Sequence, residues 1–150
     1  MITRTSADSA SEGDLARKEI LQLIEDVGVA MFTTLDEGTM RARPMISRPD
    51  PARSTIWFFT REEAHKVEEL GRDPRVSLSY ADPGTGRFAS LSGAAELEDD
   101  RTRVKDLWDD KVAGWIGSGP DDPDLLLIKV KPEAGEFWGG GDRRQFGETS

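Results

Sequence analysis

The stretch Phe59-Thr60-Arg61-Glu62-Glu63-Ala64-His65-Lys66 concentrates more potential chemistry than any other. Thr60 closes a β-rich run and stands just before a helical one, with Glu63 three residues on. As structure alone, this is a capping box, in which hydroxyl and carboxylate each serve a backbone N–H. As chemistry, a helix start offers free N–H groups and a positive dipole end, and so attracts anions. His65 and Lys66 bring cationic side chains to the same turn, while Glu62 and Glu63 oppose an anion unless they face solvent. Upstream, Arg41 and Arg43 alternate onto one face of a strand. On a solvated face they need no partner. Beside the helix at Thr60, one or both reach a phosphate. A hairpin followed by a crossing strand makes the second and third strands neighbours, so two signals converge on one anion site.

Other chemistries fall away. The chain has no cysteine and one histidine, which excludes disulfides, thiolate metal sites, a thiol nucleophile and a multi-histidine metal centre. Gly84-Thr85-Gly86 and Gly139-Gly140-Gly141 precede no helix, so neither is a nucleotide-binding glycine loop. No Gly-x-Ser-x-Gly elbow exists. Asp121-Asp122-Pro123-Asp124 reads as a solvated acidic loop. The net charge of −9 argues against nucleic acid and anionic membrane. Mean hydropathy is −0.56 and no apolar run approaches the length of a membrane span. Met1-Ile2-Thr3-Arg4 leads into polar residues without an apolar leader, so the expected location is the cytoplasm.

The elements that must position these residues fit a single domain in 150 residues. Residues 1–13 read as a flexible segment, 14–138 as the domain and 139–150 as a Gly-rich flexible tail. Ala16, Ile20, Leu23, Ile24 and Val27 recur at helical spacing before Gly28, which predicts a helix from about Ser11 to Asp26. Val29–Leu35 and Met40–Ile46 flank Asp36-Glu37-Gly38-Thr39, a hairpin in which Pro44 needs an edge or bulge. Further strands are expected at Ser54–Thr60, Val76–Tyr80, Arg87–Leu97 and Leu125–Lys131. A short helix is expected at Glu62–Leu70. A second, capped by Asp100, carries Val104, Leu107, Trp108 and Val112, and Gly114–Asp124 follows as a loop. The expectation is a mainly β (α+β) fold, a six-stranded antiparallel barrel with flanking short helices.

At this point the pattern resembles a known family. Arg41-Ala42-Arg43-Pro44-Met45, Trp57-Phe58-Phe59-Thr60 with His65-Lys66 following, Asp73-Pro74-Arg75-Val76, Phe88–Gly93 and Glu136-Phe137-Trp138 are similar in order and spacing to the pyridoxamine 5′-phosphate oxidase-like split barrels that bind FMN. The bacterial general stress protein branch is the most similar. The resemblance implies a split barrel with FMN across strands two, three and five. It implies that Arg43, His65 and Lys66 surround the phosphate, with Thr60 at the helix start after Phe59, and Arg41 stays a candidate from its strand position. It implies that backbone from Arg43 through Pro44 and Met45 to Ile46 borders the isoalloxazine, and that Ser90 and Trp138 complete the site. FAD is the alternative cofactor. The family builds its site in a homodimer, so some contacts come from the second chain.

Departures matter. The true oxidases often carry an arginine where His65 stands, and their C-terminal substrate segment is not recognisable here. Oxidation of pyridoxamine phosphate is therefore not expected. A flavin-dependent oxidoreductase on a small substrate is the leading expectation. A non-catalytic flavin-binding stress protein, serving as carrier, buffer or sensor, is the alternative. A cofactor-free acidic interaction module is the third.

Overall fold

The structure, a computed structural model, describes residues 11–61 and 65–147, and of residues 65–68 it describes the backbone. Helix α1 spans Glu12–Val27, and its boundaries follow from its ends. The Ser11 hydroxyl accepts the Asp14 N–H at 3.0 Å. Gly28 takes the left-handed conformation at φ 75° and sends its N–H to the Ile24 carbonyl at 2.8 Å. Ala16, Ile20, Leu23 and Ile24 form the buried stripe.

Strands β1 (Val29–Asp36) and β2 (Thr39–Asp50) form the hairpin, turning at Glu37-Gly38, both at positive φ. A 3-10 turn over Pro51–Arg53 leads to β3 (Thr55–Arg61), then α2 (His65–Arg72), β4 (Arg75–Asp82) and β5 (Arg87–Glu98). Helices α3 (Arg101–Leu107) and α4 (Asp110–Ile116) precede β6 (Leu125–Gly139) and β7 (Asp142–Phe146). All ladders are antiparallel, in the order β3-β2-β1-β4-β5-β6-β7. Pairing of β3 with β6 closes six of the seven strands into a barrel, and β7 lies outside it on β6. Among the described residues, no helix is long and apolar enough to cross a membrane.

Alternation sorts the side chains. Phe32, Met45, Phe58, Leu78, Leu91 and Val130 fill the barrel, where the Phe32 and Phe58 rings meet edge-on at 5.0 Å. Ser47 and Tyr80 exchange a hydroxyl hydrogen bond at 2.9 Å inside this core, and burial pushes the Tyr80 phenol up. A second cluster lies on the outer face of β3 and β6. There Trp57, Phe59, Leu125 and Leu127 meet Val104 and Val112 of α3 and α4.

Four expectations change. The helix capped by Asp100 ends at Trp108, and a second cap, Asp109 accepting the Val112 N–H at 2.9 Å, starts α4. Residues 114–116, expected in a loop, belong to α4. The strand expected to stop at Lys131 runs on to Gly139 and takes in Glu136–Trp138, expected as a separate extended piece, and residues 142–146, expected in the tail, form β7 with Phe146 buried.

Candidate functional site

Strand β2 changes partners partway. Its ladder with β1 covers Thr39–Ile46, whereas its ladder with β3 covers only Ser47–Asp50. From Ser47 and Phe58 onward the two strands part, so the β3-side edge of Arg43–Ile46 is open, facing Phe59, Thr60 and Arg61. Pro44 falls in this unpaired stretch, as its missing N–H requires. Glu69 of α2, the element that follows β3, meets Arg43 of β2.

Of the residues proposed from sequence, Arg41, Arg43, Pro44, Met45 and Ile46 line the β2 side of the seam, and Phe59 and Thr60 the β3 side. Met45 is buried in the barrel, Ile46 and Phe59 in the outer cluster, and Pro44 is exposed. Phe59 packs edge-on against Trp108 at 5.6 Å. Thr60 is 2% exposed and its hydroxyl has no hydrogen-bond partner among the described residues. Its expected capping partner, Glu63, and the side chains of His65 and Lys66 lie outside the described residues.

The two arginines are not free cations: each has an acidic partner. Arg41 and Arg43 share the inward face with Met45 and Ser47, at one end of the barrel. Arg43 donates to the Thr34 hydroxyl at 2.6 Å and to Glu69 Oε2 at 2.8 Å. The Thr34 hydroxyl donates in turn to the same carboxylate oxygen. Arg41 lies 3.4 Å from Asp36 and 3.7 Å from Glu69 Oε1. Glu69, on α2, is fully buried. Burial alone raises its pKa. The Thr34 and Arg43 hydrogen bonds and the two guanidinium charges together outweigh that and leave it below the ordinary carboxylate value. Arg43 is thus committed to an internal acid, while Arg41, with its side chain 47% exposed, keeps a face toward solvent.

Ser90 and Trp138 stand elsewhere. Ser90 on β5 pairs with Ser79, and Trp138 on β6 pairs with Phe88. Within one chain, β1 and β4 separate Ser90 from β2, and Trp138 lies eight residues beyond Val130, where the ladder of β6 with β3 ends. No group of three or more His, Asp or Glu side chains that could hold a metal occurs among the described residues.

The profile of the "Pyridoxamine 5′-phosphate oxidase like" family matches residues 16–147, from the first buried turn of α1 to the end of β7. The chain belongs to the pyridoxamine 5′-phosphate oxidase-like family. General stress protein 26 of Bacillus subtilis is 28% identical over 120 residues, spanning 78% of this chain and 84% of that protein. Protein bli-3 of Neurospora crassa is 29% identical over 113 residues, 68% of this chain but 54% of bli-3, so the match spans about half of that protein. The general stress FMN/FAD-binding protein of Xanthomonas citri superposes with a TM-score of 0.71 at 27% identity, covering 85% of this chain and 91% of that one. A general stress protein 26 relative from Clostridium acetobutylicum shares the fold, with a TM-score of 0.74 at 23% identity over 87% and 93% of the two chains.

Glu69 is the residue of this pyridoxamine 5′-phosphate oxidase-like chain that the sequence reading missed. A signal was available: Arg41 and Arg43 have the parity of Met45, an apolar inward position. Two inward guanidinium groups require an internal counter-ion, and the covering helix is where one can come from.

Proposed function

We propose that this protein binds a flavin nucleotide, FMN before FAD, in the seam between β2 and β3, and acts in the cytoplasm as a flavin-dependent oxidoreductase. The observation that carries the reading is the open seam with a buried Thr60 hydroxyl at its end that has no partner among the described residues. An unmatched buried polar group costs about 1–3 kcal/mol, which a ligand arriving at the seam relieves. The unpaired edge of Arg43–Ile46 supplies backbone groups for the rim of a planar ring. Arg41, Lys66, His65 and the N-terminus of α2 supply positive potential for a phosphate. The flavin-binding relative from Xanthomonas citri supports the same reading.

Bound flavin supplies hydride and electron transfer. This chain's residues hold the phosphate, border the ring and keep water from it. No free acid or base lines the described part of the seam, because Glu69 is held by two arginines. That favours the second reading, a non-catalytic flavin carrier, buffer or sensor. Reduction of the bound flavin by NADH or NADPH and fast reoxidation by a defined acceptor separates the two.

Flavin fluorescence is expected to be quenched on titration, with micromolar or tighter affinity. Absence of both heat and quenching with folded protein defeats the proposal. Lys66→Ala is expected to weaken FMN by roughly tenfold to a hundredfold, as for a lost charged hydrogen bond, and to leave riboflavin nearly unchanged. An equal loss for both ligands removes Lys66 from the phosphate.

The site is proposed to be completed in a homodimer. Pro44, Met31, Ser79 and Ser90 stand in one register row across β2, β1, β4 and β5. The neighbouring outward positions Ala42, Ala81 and Phe88 are exposed and uncharged in a chain that is 33% charged. A self-complementary twofold contact on this face covers it and brings one chain's Ser90 and Trp138 toward the other's seam. The charge of −9 opposes contact only weakly beyond about 8 Å at physiological salt. Light scattering is expected to give twice 16.6 kDa. Ser79→Arg, at the centre of the row, is expected to give monomers with weakened FMN binding. A monomeric wild type that binds FMN tightly refutes the shared site.

A further inference from the structure

Although the chain carries a net charge of −9, one pocket runs against it. On the outer face of β3 and β6, beside the first turn of α3, a cavity of about 400 Å³ is lined by Arg53, Arg103, Lys129 and Lys131 against Glu98 and Asp100. Strand alternation builds it. Ile128 and Val130 fill the protein interior, which turns Lys129 and Lys131 outward together, and Lys129 stands directly across from Trp57 in the ladder.

The carboxylates are already engaged. Glu98 Oε1 meets Lys129 Nζ at 2.8 Å, and Asp100 accepts the Arg103 backbone N–H at 3.0 Å as the cap of α3. Arg53 reaches Asp50 only at 3.8 Å. Among the described residues, Arg103 and Lys131 have no carboxylate partner. The Arg103 guanidinium lies over the Trp57 ring at 5.1 Å from its centroid, which fixes its plane without neutralising it. Trp57 itself is 2% exposed, and its indole N–H has no acceptor among the described residues. A half-buried guanidinium and an ammonium without a carboxylate partner thus line the pocket with Trp57, beside two carboxylates that are already engaged.

We propose that this pocket is an anion site for a phosphate-bearing small molecule. An arginine fork next to a lysine matches the oxygens and double charge of a phosphate monoester. The volume is at the small end of ligand sites, which suits a compact phosphate. The chain's overall negative charge keeps polyanions such as nucleic acid away. The pocket lies at the β6 edge of β3, whereas the seam lies at its β2 edge, so the site does not depend on the flavin reading.

The test follows the Trp57 indole N–H resonance of isotope-labelled full-length protein, assigned with Trp57→Phe. Inorganic phosphate and glycerol phosphate are titrated at neutral pH and constant ionic strength, with and without saturating FMN. A saturable shift of that resonance is expected, and it persists when FMN is present. Arg103→Gln and Lys131→Gln are each expected to weaken it by roughly tenfold or more, with thermal melts confirming that both fold. Tighter binding of glycerol phosphate identifies a phosphorylated metabolite as the occupant, and equal binding identifies free phosphate. Three results overturn the site: no shift at millimolar phosphate, an unchanged titration in both variants, or abolition of the shift by FMN.

Discussion

Glu69→Ala is expected to lower the stability of this protein by about 3 kcal/mol, the low end of the range for breaking a buried ion pair. Its carboxylate is fully buried and holds Arg43 at 2.8 Å, with the Thr34 hydroxyl on the same oxygen. Removing it leaves a guanidinium with one-fifth of its surface exposed facing the barrel end without its counter-ion. Glu69→Gln, which retains an acceptor, is expected to cost less. Replacing Arg43 by Met together with Glu69 by Leu is expected to recover most of the loss, because no uncompensated charge remains. The pH dependence has a definite sign. The folded-state pKa of Glu69 lies below the ordinary value of 4.5, so its contribution is complete above that value. It is lost as the pH falls through the lower folded value. Urea midpoints at neutral and acid pH measure both effects. If Glu69→Ala and wild type unfold at the same urea concentration at neutral pH, the acid is not holding the barrel end together.

Gly93→Ala is expected to cost about 3 kcal/mol, at the upper end for an overpacked position. A β carbon there would lie 2.4 Å from the Lys131 carbonyl oxygen and 3.2 Å from Pro132 Cα, both backbone atoms of the neighbouring strand. The ladder between β5 and β6 shifts register between Ser92 and Gly93, and the missing side chain is what lets β6 come that close. For a chain of this length the loss corresponds to roughly 6–12 °C in melting temperature. Gly84→Ala, where the nearest atom is a side-chain oxygen at 3.6 Å, is the control and is expected to be nearly neutral. Equal melting temperatures for the two variants would mean that β6 can move aside.

Much of this architecture is legible in local sequence, because local interactions decide it. Ser11, the apolar spacing of α1 and Gly28 fix the first helix at both ends. The Glu37-Gly38 turn fixes the hairpin. The misreadings have particular causes. Pro132 and Gly135 look like strand breakers, but Pro132 falls at the register shift opposite Gly93 and Gly135 lies against Leu91 and Phe146. Strand β7 has one buried apolar residue, Phe146, and follows two glycines at positive φ, so by composition it passes for a tail. Asp109 restarts a helix that its apolar spacing continues unbroken. At the site, the cations were legible but not the acid that binds them. Glu69 lies 26 residues from Arg43, and only the packing of α2 across the barrel end brings them together.

Strand β6 also imposes a timetable on the making of the protein. Residues 55–60 of β3 are buried without exception, yet one of the two ladders that cover them comes from β6, where Arg61 finds its partner in Leu125. A ribosome adding about 5–20 residues per second needs roughly 3–13 s to cross that interval. Throughout it, Trp57, Phe58 and Phe59 lack their β6 neighbours. The nascent chain therefore presents an aromatic strand edge to chaperones, or to a second nascent chain, just before closure. A product terminated before Leu125 would never cover that edge. It is expected to aggregate or be degraded, not to persist as a smaller barrel.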